Sequence, residues 1–83
     1  MKVTLKLYAT LADYLPAGAR NNRVELEVAD AVTVNAILAP FSLPPKLTHL
    51  VLVNGVFVPS EARASTVLNE GDALAVWPPI AGG

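Results

Sequence analysis

The stretch Leu50-Val51-Leu52-Val53-Asn54-Gly55-Val56-Phe57-Val58 decides the architecture of this chain. Two apolar runs flank an Asn-Gly pair, and both residues of that pair tolerate the positive φ of a type I′ turn. The reading is a hairpin: a strand over Leu50 to Val53, a tight turn, and a return over Val56 to Val58. A lone two-stranded hairpin is marginal in water, so the remaining sequence has to extend the sheet and cover it.

Toward the N-terminus, Val3, Leu5 and Leu7 alternate with Thr4, Lys6 and Tyr8, the period-two pattern of a half-buried strand. Arg23 to Val28 alternates again, with Val24, Leu26 and Val28 on one face and Arg23, Glu25 and Glu27 toward water. This second strand is the antiparallel partner of the first. Between them, Thr10 to Asp13 carries a T-x-x-D helix-start pattern that Pro16 and Gly18 end, and Ala19 to Asn22 forms a polar loop. Asp30 to Thr33 offers caps for a helix running to about Ala39, with Val34, Ile37 and Leu38 spaced to face the sheet. Pro40, Pro44 and Pro45 close it, since proline has no N–H to continue the ladder; the segment from Pro40 to Pro45 receives no further assignment.

Toward the C-terminus, a polar segment from Glu61 to Thr66 is followed by Val67 and Leu68, which pack back, and by a tight turn at Glu70-Gly71-Asp72. Ala73 to Trp77 is the last strand, with Leu74 and Val76 on one face, and Pro78-Pro79 stops its ladder. The order is strand, strand, helix, strand, short strand, strand. That is an α+β domain: a mixed sheet of four to five strands with one principal helix packed on one face.

With 83 residues, 53% of them hydrophobic, the chain suffices for a single domain over 1–83, ending in a flexible tail over 78–83. A core this small leaves apolar surface outside it. The six basic residues are scattered and the net charge is −1, so there is no basic stripe to neutralise phosphates and no nucleic-acid partner is expected. The absence of cysteine removes disulfides, thiolate metal sites and a cysteine nucleophile, and fits a reducing compartment. No signal pattern opens the chain, and no apolar run nears the ~20 residues of a membrane span. A soluble, cytoplasmic protein without a membrane partner is expected.

The tail Pro78-Pro79-Ile80-Ala81-Gly82-Gly83 is the most unusual feature. Two prolines make a stiff, extended exit from the last strand. The glycines lack the Cβ that would bar a main-chain terminus from a narrow channel. Taken alone, such an end reads more readily as an ordinary mobile terminus.

The whole-chain pattern changes that weighting. Lys6-Leu7-Tyr8-Ala9, Val53-Asn54-Gly55 followed by Val58-Pro59, Asn69-Glu70-Gly71-Asp72, and Val76-Trp77 leading into the Pro-Pro-Ile-Ala-Gly-Gly end occur in one order along the chain. In that combination the sequence resembles the MoaD/ThiS family of ubiquitin-like sulfur carriers. The resemblance implies a β-grasp fold and a non-catalytic role as a carrier. It further implies that Gly83 is adenylated by a ubiquitin-activating-type adenylyltransferase and converted, with a sulfur donor, to a C-terminal thiocarboxylate. No cofactor would be held tightly; ATP is consumed by the activating partner. Within the family the Pro-Pro-Ile-Ala-Gly-Gly end is more similar to the small subunit of molybdopterin synthase, whose tail enters a larger catalytic subunit. Thiamin thiazole, tRNA thiolation, a tungsten cofactor and protein modification remain alternative destinations.

By the same resemblance Tyr8 and Trp77 occupy positions that present aromatic residues to a partner. Their parity, opposite to the core residues of their strands, favours the far sheet face over the core. Phe57 and Ile80 are further candidates for that contact, and Pro78, Pro79, Ala81 and Gly82 would complete the tail. His49 has no companions for a metal or general-base site and reads as a surface residue. Glu70 and Asp72 read as solvated turn residues, although the resemblance implies that charged residues near the tail help the activating enzyme recognise it, which leaves a secondary role open to Glu70 or Arg63. No Ser/His/Asp set, phosphate-binding glycine loop or metal-ligand spacing is visible.

Overall fold

Alternating burial sets the sheet. In the computed structural model, which describes residues 1–79, β1 (Lys2–Leu7) buries Val3, Leu5 and Leu7 and turns Lys2, Thr4 and Lys6 outward. Its antiparallel partner β2 (Arg23–Glu27) runs from Lys6 opposite Arg23 to Lys2 opposite Glu27. Val24, Leu26 and Val28 are half-buried, while Arg23, Glu25 and Glu27 are exposed. The hairpin read from Asn54-Gly55 forms as β3 (Leu50–Val53) and β4 (Val56–Phe57), with Asn54 at φ 50° and Gly55 at φ 83°. Val58 leaves the ladder after donating to Val51 O at 2.9 Å and turns into the core, so the return strand is one residue shorter than its apolar run.

The last strand, β5 (Ala73–Trp77), enters between the two hairpins. It pairs parallel with β1 and antiparallel with β3, giving the order β2-β1-β5-β3-β4. As the central strand it is the most completely covered, with Leu74, Ala75 and Val76 all buried. The sheet is mixed, as expected.

One face of the sheet is covered by α1 (Val34–Leu38), whose Val34, Ile37 and Leu38 pack with Leu5, Leu7, Val51, Leu74 and Val76. Of the candidate caps from Asp30 to Thr33, Thr33 is the one used: its Oγ1 accepts from Ala36 N at 3.1 Å. The helix ends at Leu38 with Ala39 as its C-cap, and the proline-rich stretch continues as two 3-10 turns, Ala39–Phe41 and Pro45–Leu47. Phe41, Leu43 and Leu47 pack against the core from there.

The expected start of a helix at Thr10 is corrected. A 3-10 element spans Ala9–Tyr14 with Tyr8 as its N-cap, and no side chain caps it. Leu11 supplies its buried contact; one anchoring side chain suits a short, tight turn better than an amphipathic α-helix. Leu68 packs back as expected, but Val67 is exposed.

Glu70 and Asp72 are not simply solvated. Asp72 Oδ2 accepts from Asn69 N at 2.8 Å, and its Oδ1 accepts from Asn54 Nδ2 at 2.9 Å. Asn54 Oδ1 in turn accepts from Ala73 N at 2.9 Å, so the hairpin turn is tied to the entry of the central strand. Both Glu70 oxygens accept from Lys2 N at 3.2 Å, which fixes the start of β1 against the same turn. The bonds from Asn69 N and Asn54 favour ionised Asp72 and lower its pKa below the ordinary 3.8. Because the folded-state value is depressed, the stabilisation is complete above the unfolded pKa and is lost as pH falls through the folded one. Asp72→Ala is therefore expected to melt at lower denaturant than the parent at pH 7, with the gap narrowing below pH 3.8. A gap that stays constant from pH 7 down to pH 2 in parallel urea titrations contradicts this role.

Candidate functional site

The face of the sheet opposite α1 carries no covering element among the described residues. Residues opposite one another in a ladder share a face, so register assigns its occupants. One row runs Arg23, Lys6, Ala75, Leu52 and Phe57; the next holds Trp77 and Leu50. The face is thus divided. Its β2 side presents Lys2, Lys6, Arg23, Glu25 and Glu27, whereas its β5-β3-β4 side is apolar.

Tyr8 completes the apolar half. It follows β1 in extended backbone (φ −108°, ψ 159°), and its N–H donates to Val76 O at 3.1 Å, continuing the parallel ladder by one residue. Leu7 lies opposite Val76, so Tyr8 falls beside Trp77. The two rings stack with centroids 4.2 Å apart and planes within 3°. Both are half-buried. The chain then turns away at once, with Ala9 at φ 53°, a left-handed conformation that costs a non-glycine residue about 1 kcal/mol or more.

Phe57, 56% exposed, stands on the same face opposite Leu52, and its neighbour Val56 is 67% exposed on the other face. The structure therefore brings Tyr8, Trp77 and Phe57 to one side of the sheet and joins them through Leu50 and Leu52. Those two leucines are not marked out by sequence motifs. The signal is nevertheless present: counting back from the Asn54-Gly55 turn pairs Leu52 with Phe57 and puts Leu50 two residues further along the same face.

Beyond the stack, Trp77 O accepts from His49 N at 3.1 Å, the last ladder bond before the chain leaves the sheet. Pro78 and Pro79 have no N–H to extend it; Pro78 is half-buried and Pro79 exposed. The tail residues singled out from sequence, Ile80, Ala81, Gly82 and Gly83, lie outside the described residues. His49 is exposed, and among the described residues no cluster of three His, Asp or Glu side chains is arranged to hold a metal. No helix among them is long and apolar enough to cross a membrane.

A family model described as the ThiS family matches residues 5–83. Among solved structures, the chain is similar to the HVO 2177 protein of Haloferax volcanii at 28% identity and TM-score 0.74, over 100% of this chain and 87% of that one. It is also similar to SAMP1 of the same organism, at 26% identity and TM-score 0.70 over the whole of both chains. A chain from the complex of subunits 1 and 2 of molybdopterin-converting factor from Helicobacter pylori shares the fold, with TM-score 0.63 at 17% identity over the whole of both. No curated protein matches. The fold is the ubiquitin-like β-grasp.

The stack should register as energetic coupling between its two members. In a double-mutant cycle of Tyr8→Ala and Trp77→Ala, the coupling in unfolding free energy is expected at about 0.5–1.5 kcal/mol. A coupling indistinguishable from zero shows the rings to be independent neighbours.

Proposed function

The chain belongs to the ThiS family, and from that premise we propose that it is a sulfur carrier whose working group is the carboxylate of Gly83. The observation that carries the reading is the family match itself, which extends over residues 5–83 and so includes the Gly-Gly end. The chemistry turns on what a carboxylate lacks. An α-carboxyl has a pKa near ~3.5, so at neutral pH it is an anion with a poor leaving group. In a partner adenylyltransferase, a carboxylate oxygen attacks the α-phosphorus of ATP and pyrophosphate departs. A sulfur nucleophile then attacks the acyl carbon and AMP leaves, giving a thiocarboxylate. Gly82 and Gly83 carry no side chain to obstruct that approach, and Pro78-Pro79 ends the strand ladder ahead of them in the chain.

The open apolar face is the docking surface in this reading. Tyr8 and Trp77 form a flat, preorganised anchor at the point where the chain leaves for the tail. Aromatic anchors of this kind dominate interface energetics. Holding the sheet there fixes the base of the tail, so that the terminus enters the partner's active site at a set reach. The catalytic groups belong to the partners: the adenylyltransferase first, then a larger subunit in which the sulfur is transferred. The destination best supported by the double-proline ending is a pterin precursor in molybdenum-cofactor assembly.

A second reading is favoured by the full-length 26% identity with SAMP1, the small archaeal modifier protein 1 of Haloferax volcanii. There the activated Gly83 would be joined to an amine instead of receiving sulfur. Incubation with a cognate adenylyltransferase, ATP and a sulfide-level donor, followed by intact-mass measurement, separates the two. The carrier reading expects a gain of one sulfur-for-oxygen exchange, absent after deletion of Gly83 and at least tenfold slower in Trp77→Ala. Amine conjugates without any thiocarboxylate support the modifier. An unchanged mass with active adenylyltransferase overturns both.

A further inference from the structure

Asn54-Gly55 turns the hairpin, and it is also the one place in the sequence where glycine follows asparagine. Asparagine is a thermolabile residue, because the backbone nitrogen of the next residue attacks its carboxamide carbon. Glycine has no Cβ to hinder that approach. In the reaction the bond from Gly55 N to Asn54 Cγ forms and the Cγ–Nδ2 bond breaks. Nδ2 leaves as ammonia, taking the Gly55 amide proton. Water then opens the cyclic imide: cleavage at Cγ leaves aspartate, and cleavage at the Asn54 main-chain carbonyl leaves isoaspartate.

Neither burial nor crowding shields this pair. Asn54 and Gly55 are both exposed, and a Cβ placed on Gly55 would meet nothing within 4 Å. Hydrogen bonds hold the asparagine instead. Its Nδ2 donates to Asp72 Oδ1 at 2.9 Å, and its Oδ1 accepts from Ala73 N at 2.9 Å. Its backbone N–H donates to Ala73 O, also at 2.9 Å. Asp72 is fixed in turn by Asn69 N at 2.8 Å. Both ends of the carboxamide are thus anchored to the start of β5. Attack on Cγ turns that planar group tetrahedral and draws it toward Gly55, which breaks its fit to both partners. The bonds that hold the turn therefore oppose the reaction, and only a local opening releases it.

We propose that Asn54-Gly55 is a deamidation site that its bonds to Asp72 and Ala73 keep closed, and that opening of the hairpin turn converts irreversibly. Water is the one co-reactant. The change is lasting for a structural reason. An aspartate at this position replaces the Nδ2 donor with an acceptor and sets a second carboxylate against Asp72 Oδ1, where like charges repel. The isoaspartyl product lengthens the main chain inside a two-residue turn and disturbs the register that pairs Leu52 with Phe57. Either product leaves the hairpin untied from the entry of β5, so a chain that has reacted does not regain the parent turn. The proposal concerns the chain alone and stands or falls apart from the carrier reading.

Peptide mapping by mass spectrometry, with isoaspartate detected by enzymatic methylation, follows the reaction at Asn54. In neutral buffer the folded chain is expected to deamidate at least tenfold more slowly than the same chain unfolded in urea. Asp72→Ala, incubated folded, should react at least fivefold faster than the parent. Thr33→Ala removes the cap of α1 and leaves the turn untouched, so it should stay near the parent rate. Equal rates in folded and unfolded chain, or equal acceleration by both variants, overturns the local gate. Asn54→Asp, made directly, tests the lasting effect. It should unfold at lower urea than the parent at neutral pH, with the deficit shrinking once acid protonates the facing carboxylates. A midpoint equal to the parent's at neutral pH overturns the claim that the turn is not regained.

Discussion

The parallel pairing of β1 with β5, from Thr4 opposite Ala73 to Leu7 opposite Val76, is the constraint on which the remaining structure depends. Neither strand can slip by one residue without turning Leu5, Leu7, Leu74 and Val76 out of the core. Each of these side chains, fully buried, contributes on the order of 1.5–3 kcal/mol. The register therefore holds firmly, and it has a consequence on the other face. With the core residues aligned, Tyr8 and Trp77 fall side by side, and their stack at 4.2 Å is a by-product of packing that occurs on the opposite side of the sheet. The far end of the same pair is pinned by Thr4 N to Asp72 O at 2.9 Å and Gly71 N to Lys2 O at 2.8 Å. Together these bonds hold the strand that leads into the tail, which suits the proposed delivery of the terminus to a partner.

In the proposed reading, specificity lies on a surface and reactivity at an end. Among the described residues the sheet is covered by α1 on one side only, and the other side is apolar where it nears Trp77 and Pro78 and charged where it is remote from them. The charged half, with Lys2, Lys6, Arg23, Glu25 and Glu27, keeps that region solvated. The apolar half, with Leu50, Leu52, Phe57, Trp77 and Tyr8, is left to be covered. Small domains cannot hide all their apolar side chains; part of the surplus is gathered on this face, while Val56 and Val67 are exposed elsewhere.

Much of this was legible in the sequence, for identifiable reasons. Alternation in Val3 to Tyr8 and Arg23 to Val28 is a direct signature of half-buried strands. Asn54-Gly55 fixed both a turn and a register. Parity alone put Tyr8 and Trp77 on the far face. The parallel contact between β1 and β5 was not legible, because it joins residues from opposite ends of the chain and leaves no local mark. The roles of Asp72 and Glu70 were missed for the same reason: a Glu-Gly-Asp turn looks solvated until Asn54 and Lys2 are brought against it. The 3-10 turns at Ala39–Phe41 and Pro45–Leu47 escaped since proline announces where a helix stops and says little about the conformation of the residues after it. Arg63 stood out in the sequence only through the family resemblance; that its Nε is buried and unpartnered among the described residues left no mark in a polar segment.

The central claim is that the chain presents one face of its sheet to the enzyme that activates it. Cross-saturation NMR of the isotopically labelled chain, bound to an unlabelled cognate adenylyltransferase, tests this most directly. The account predicts strong saturation of the Tyr8, Phe57 and Trp77 rings and the Leu50 and Leu52 methyls, with the exposed Asn35 and Ala36 of α1 unaffected. A footprint centred on α1, with the aromatic pair silent, would contradict it.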